Sequence, residues 1–126
     1  MKPMFQSLVC AGLLGLAPGC ASSEIAPEKV AAPGADIAAA EEAGAEEHPK
    51  AAAQLKLAYE QYDKAKRLIK DGEEERAEQY LARANADAKL ALELARLENT
   101  RRDAEETMRK IQQLKSQQQQ QLMKTQ

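Results

Sequence analysis

Apolar residues recur at steps of three and four along the second half of the chain, starting just after Pro49. Ala51, Leu55, Ala58, Tyr62, Ala65 and Ile69 form one seam, the signature of a helix that buries a single face. Pro49 suits the first helical position, where a missing N–H costs nothing, and Asp71-Gly72 closes the segment with a glycine where a left-handed residue is usual. Lys66, Arg67 and Lys70 crowd the last turn, on the side the helix dipole favours. A second helix begins at Glu73-Glu74-Glu75, acids set where the first N–H groups are unpaired, and its seam runs Ala77, Leu81, Ala84, Ala88, Ala91 and Ala95. Two seams across a two-residue turn predict an all-α fold, an alanine-rich antiparallel helical hairpin whose small side chains let the backbones approach closely.

Around Leu90 large residues take over on another face. Leu90, Leu94, Leu97, Ala104, Met108 and Ile111 keep heptad spacing with only Arg101 interrupting it. The first half of this helix is therefore expected to pack on its hairpin mate. The second half, a long C-terminal coiled-coil-like helix, carries a candidate self-association seam. At 1.5 Å per residue, residues 49–71 cover about 35 Å and residues 73–116 about 66 Å, so roughly half of the second helix has no mate within the hairpin. Thr100 with Asp103 resembles a weak capping box that would break the helix at Asn99-Thr100. Against it, Glu98 with Arg102, Glu105 with Arg109 and Glu106 with Lys110 have the i,i+4 spacing that supports continuity. One helical domain over 49–116 is the favoured reading. The Gln-rich tail, 117–126, either extends the helix or frays.

The N-terminal part reads differently. Lys2 is followed by an apolar, small-residue stretch from Met4 to Ala17, too short to cross a bilayer as a helix and typical of a secretory signal peptide over 1–19. Its end, Leu16-Ala17-Pro18-Gly19-Cys20, resembles the lipobox of bacterial lipoproteins, in which the cysteine becomes the new N-terminus and carries lipid. Cys20 is the lipid-attachment residue that this resemblance implies. Ala17 and Pro18 stand where the usual box has Leu and a small residue, with Leu16 one step early, and Ala17 and Gly19 as small residues would also suit an ordinary signal peptidase cutting before Cys20. Removal of Cys10 with the signal leaves one cysteine and no internal disulfide. Residues 21–48 hold Pro27, Pro33 and Gly34 and seven acids against one Lys, the composition of a flexible acidic tether, so 20–48 is expected to link a lipidated N-terminus to the helices. Ala21 and Ser22, with no Asp after the cysteine, resemble lipoproteins sent to the outer membrane of a Gram-negative cell.

Composition narrows the function. The chain has 126 residues, of which 25 are alanine, one is Phe and none is Trp. That inventory excludes a large α/β enzyme or an aromatic-rich β-sandwich and provides only a thin core, so docking or self-association is expected. A net charge of −2 calls for no nucleic acid. His48, the one histidine, has only Glu46 and Glu47 beside it, which argues for a turn residue ahead of Pro49 and against a metal site. No phosphate loop, nucleophile elbow or Ser/His/Asp set can be assembled, so no cofactor and no catalytic activity are expected. Tyr59, Tyr62 and Tyr80 read as hairpin core with hydroxyls reaching water. Downstream of Thr100, six Lys or Arg stand against three acids, which admits contact with an anionic surface such as the cell-wall polymer or, equally, a solvated flank.

Gly44-Ala45, His48-Pro49, a helix with Tyr59 and Tyr62, Asp71-Gly72, and a helix running Ala77, Tyr80, Ala84, Asp87-Ala88 and Ala91 together resemble the DUF4398 family of bacterial envelope proteins over residues 36–105. The resemblance implies a short alanine-rich helical module behind a lipoprotein signal and brings no established activity. Asp36 to Ala43 gives less length for a first helix than such modules usually show. The expected function is a non-catalytic envelope lipoprotein on the periplasmic face of the outer membrane, a structural or adaptor element with a homo-oligomeric or protein partner. The alternative is a peptidoglycan- or protein-binding module that regulates an envelope enzyme.

Overall fold

The computed structural model describes residues 25–125, and these form three α-helices and one short 3₁₀ turn with no strand among them. Helix α1 spans Pro27–Glu42, the 3₁₀ turn Ala45–Glu47, α2 Pro49–Lys70 and α3 Glu74–Lys124. The all-α reading and the long C-terminal helix are as expected. Residues 1–19, read as a signal peptide, and Cys20 lie outside the described residues.

The hairpin of α2 and α3 closes as its termini predict. Gly72 takes φ +74°, the Glu73 N–H donates to the Leu68 carbonyl at 2.9 Å and the Gly72 N–H to the Ile69 carbonyl at 3.1 Å. Those two bonds complete a Schellman motif and satisfy carbonyls the helix end would otherwise orphan. All six alanine and leucine positions expected on α3, Ala77 to Ala95, are buried. On α2, Ala51, Leu55, Ala58 and Ala65 are buried, but the last position is Leu68 and Ile69 is only half-buried. Near its end the buried position is taken by Leu68 because it packs with Ile25, Ala77 and Leu81 in the cluster at the hairpin turn, with Ile69 at the edge of that cluster.

The flexible-tether reading of 20–48 is corrected over its second half. Residues 27–42 are helical, with Pro27 at the first position and Glu28 in the first turn, where the ring and the charge both suit the helix. Val30, Pro33, Ile37 and Ala40 follow at steps of three, four and three, and the last three are buried. Ile37, Ala40 and Ala45 join Ala51, Leu55 and Ala58 of α2 and Ala88, Ala91 and Ala95 of α3 in one core cluster. Ile25 joins Ala65, Leu68, Ala77 and Leu81 in a second. The hairpin is thus part of a three-helix bundle, α1 parallel to α3, and α1 supplies core from inside the chain. Two short residues make the fit: Pro33 is fully buried, and a Cβ on Gly34 would lie 3.1 Å from the Tyr62 hydroxyl.

Polar contacts fix the register of α1 on α3. Lys29 Nζ donates to Glu78 at 2.8 Å, the Asn85 amide donates to Asp36 with Lys89 Nζ 3.8 Å from the same carboxylate, and Asn99 Nδ2 donates to the Ala43 carbonyl at 2.9 Å. Gly44, at φ +77°, turns the chain out of α1, and its N–H donates to the Glu41 carbonyl at 2.8 Å. Three alanine-rich helices therefore run side by side as far as Asn99, and only α3 continues.

Candidate functional site

The surface with the clearest character is the outer face of α3. From Thr100 to Thr125 every residue is exposed, so about 37 Å of helix projects beyond the bundle. The stripe that faces α1 and α2 turns polar there, with Arg102, Glu105 and Arg109 in the places that continue Ala91 and Ala95. A second stripe replaces it. Leu97 is 60% exposed, Met108 59% and Ile111 42%, with Leu90 and Ala104 also exposed. At 100° per residue these positions lie roughly 150° around the helix from the buried alanines. The face begins on the solvent side of the bundle and continues onto the projection, with Arg101, Lys115 and Gln118 set among its apolar positions.

Two adjustments to the expected seam follow. Leu94 is half-buried and packs against the first core cluster, so it belongs to the rim of the bundle. Leu114, Leu122 and Met123 are exposed beyond Ile111, and α3 continues through the Gln-rich segment to Lys124. The tail is helix. Leu122 falls on the same heptad stripe, a signal that was present in the spacing but masked by Lys115 and five glutamines.

Asn99-Thr100 does not break α3. The Thr100 hydroxyl donates to the Arg96 carbonyl one turn back at 2.9 Å, so it serves the helix interior and caps nothing. Of the three expected i,i+4 pairs only Glu106–Lys110 forms, at 2.6 Å. Arg102 instead reaches Glu47 at 3.7 Å and donates to the Asn99 side-chain Oδ1 at 2.9 Å, while Glu105 pairs with Arg101 at 3.2 Å. Lys110 beside Glu106 holds that carboxyl below the usual range, chiefly through the hydrogen bond. Three of the six basic groups after Thr100 thereby have acidic partners, and the projection keeps an excess of positive charge.

The remaining candidates are structural in character. His48 occupies the N-cap position of α2, and its side chain turns instead to α3, with Nε2 3.1 Å from Asn99 Oδ1. Tyr62 bridges both core clusters, with the Lys66 ammonium 4.7 Å above its ring. Tyr80 packs at the edge of the second cluster beside Arg83. Tyr59 sits outside the core, where its hydroxyl donates to Glu41 and its pKa is pushed up to about 12 by that bond. A groove of about 320 Å³ between α1 and α3 is lined by Lys29, Pro33, Glu78, Leu81 and Asn85, an exposed ion pair over apolar walls. Among the described residues no group of His, Cys, Asp and Glu could hold a metal ion, and no helix is long and apolar enough to cross a membrane.

Comparison with family models, with curated proteins and with solved structures gives no match.

The bundle also has a defined polarity. Ile25 packs at the end where α2 turns into α3 beside Leu68 and Ala77, whereas α3 leaves the bundle at the other end, beside Ala43 and His48. The chain enters at one end and its exposed apolar face departs from the opposite one. The tip of α3 stands about 77 Å from that entry end.

Proposed function

We propose that this protein is a non-catalytic bacterial envelope lipoprotein, anchored through Cys20 at the periplasmic face of the outer membrane, that works as a structural or adaptor element. The observation that carries the interaction role is the exposed apolar face of α3, Leu97 to Leu122, which the bundle leaves uncovered. A run of this length on a charged, otherwise solvated helix is what a coiled-coil partner covers. The polarity of the bundle suits the anchor. A lipid on Cys20 would sit five residues before Ile25, at the entry end, and the projecting helix would point away from the membrane surface. The resemblance to the DUF4398 modules supports the same address and the same absence of chemistry.

The anchoring half of the reading is tested by fractionating cells that carry the native chain or Cys20→Ser. The native chain is expected in the membrane fraction with an acylated N-terminus by mass, and the variant in the soluble envelope fraction. An unaltered distribution, or a native N-terminus without acyl mass, contradicts it.

A further inference from the structure

We propose that α3 pairs with the α3 of a second copy of this chain in antiparallel register, about a twofold axis between Arg109 and Lys110. The proposal rests on the reading of the α3 face as an interaction surface and adds the occupant, its direction and its register.

The order of residues on the exposed stripe sets the direction of pairing. Taken at heptad positions it reads Leu97, Arg101, Ala104, Met108, Ile111, Lys115, Gln118, Leu122. Read from the two ends inward, large apolar meets large apolar and cation meets a residue without charge. Leu97 lies opposite the second copy's Leu122, Arg101 opposite its Gln118, Ala104 opposite its Lys115, and Met108 opposite its Ile111. The stripe is its own complement when reversed. Run parallel, the same stripe sets Arg101 against Arg101 and Lys115 against Lys115 at the centre of the interface, and Glu93 flanks the second copy's Glu98. Like charges so placed cost stability and specify against that direction. In the antiparallel pair the flanking Glu98 and Glu105 face the second copy's Gln119 and Gln112, and Leu114 faces its Thr107, which gives that exposed leucine a neighbour.

The bundle leaves room for this. The stripe lies on the side of α3 away from α1 and α2, and α3 alone occupies residues 100–124. The overlap, residues 97–122, spans about 39 Å and sets the two bundles at opposite ends of a rod. Each chain then enters at an outer end, roughly 110 Å from the other. With α3 pointing away from the surface that holds each anchor, copies on facing surfaces would bridge them.

The test uses full chains in which Cys10 and Cys20 are serine, carrying either Leu97→Cys or Leu122→Cys, both at exposed positions where folding tolerates change. After mild oxidation, a mixture of the two variants is expected to give a disulfide between residues 97 and 122, while each variant alone gives little. Bridging of each variant to itself with none between them overturns the antiparallel register and leaves the interaction face standing. No bridging in any combination overturns self-pairing altogether. A second variant needs no cysteine. Gln118→Glu places an acid opposite Arg101 in the antiparallel pair, and against itself in a parallel one. Sedimentation equilibrium is expected to show association tightened about two- to tenfold, and loosened association overturns the proposal.

Discussion

His48 Nε2 lies 3.1 Å from Asn99 Oδ1, and that contact joins the start of α2 to the point where α3 leaves the bundle. The same amide donates through Nδ2 to the Ala43 carbonyl and accepts from Arg102 through Oδ1. With Nδ2 committed to a carbonyl, Oδ1 faces the imidazole and is placed to accept a hydrogen bond from Nε2. One side chain thus holds the C-terminal end of α1, the N-cap of α2 and the last bundled turn of α3. Asn99→Ala strands a part-buried backbone carbonyl and an imidazole N–H together. Denaturant unfolding should register a loss of about 1–3 kcal/mol.

The helix α1 belongs to the core, and Ile37 is its main large contribution. Ile37→Ala is expected to cost about 2–5 kcal/mol, with proteolysis then cutting first between residues 27 and 48. If 27–42 merely covered the hairpin loosely, the change would be nearly silent in both measurements.

Alanine is required on one face of α3 by the closeness of its neighbours. Ala88 is fully buried between α2 and α1, and Ala88→Leu must push helices apart, at about 1–3 kcal/mol. Ala86, exposed two residues earlier, is the control, where the same change stays within about 0.5 kcal/mol. Both are read by thermal unfolding.

Gly72 stands at φ +74° with nothing within 4 Å of where a Cβ would be. The cost of Gly72→Ala is therefore backbone alone, about 1–2 kcal/mol. Gly72→Asn, which tolerates the left-handed region better, should recover part of it.

Titration sets the edges of the stability profile. The Glu41 hydrogen bond raises the Tyr59 pKa above its ordinary 10.0 to about 12, so its contribution is complete below pH 10 and lost as pH rises towards 12. Asp63, beside Lys66, and Glu106, beside Lys110, are held below the usual carboxylate range, and their contributions run the other way, present at neutral pH and lost on acidification. All three groups are well exposed, so each effect is small. Helicity is expected to be flat through the neutral range, with Tyr59→Phe removing part of the alkaline decline.

The hairpin was legible because alanine and leucine at steps of three and four point to one face regardless of what covers them. Every buried position on α3 from Ala77 to Ala95 could be read that way. Helix α1 was obscured by its own breakers. Pro27 and Pro33-Gly34 with seven nearby acids describe a tether by composition, whereas the spacing of Val30, Pro33, Ile37 and Ala40 describes a buried face. Tertiary burial of Pro33 and the close approach allowed by Gly34 outweigh the lost hydrogen bond, and no local propensity registers that. Helix α1 covers the third side of the hairpin and enlarges the core beyond what the two seams provide. What survives as unsatisfied is narrower: the α3 stripe beyond Ala95, visible in the heptads to Ile111 and hidden after it by Lys115 and the glutamines.

That stripe is the centre of the account, and sedimentation equilibrium of the full chain with Cys20→Ser measures it directly, alone and with Met108→Ser and Ile111→Ser added. Mass rising above one chain with increasing micromolar concentration, and reverting to one chain in the triple variant with helicity kept, is the predicted result. A chain that stays at one-chain mass to high micromolar concentration, or a triple variant that associates as before, would contradict it.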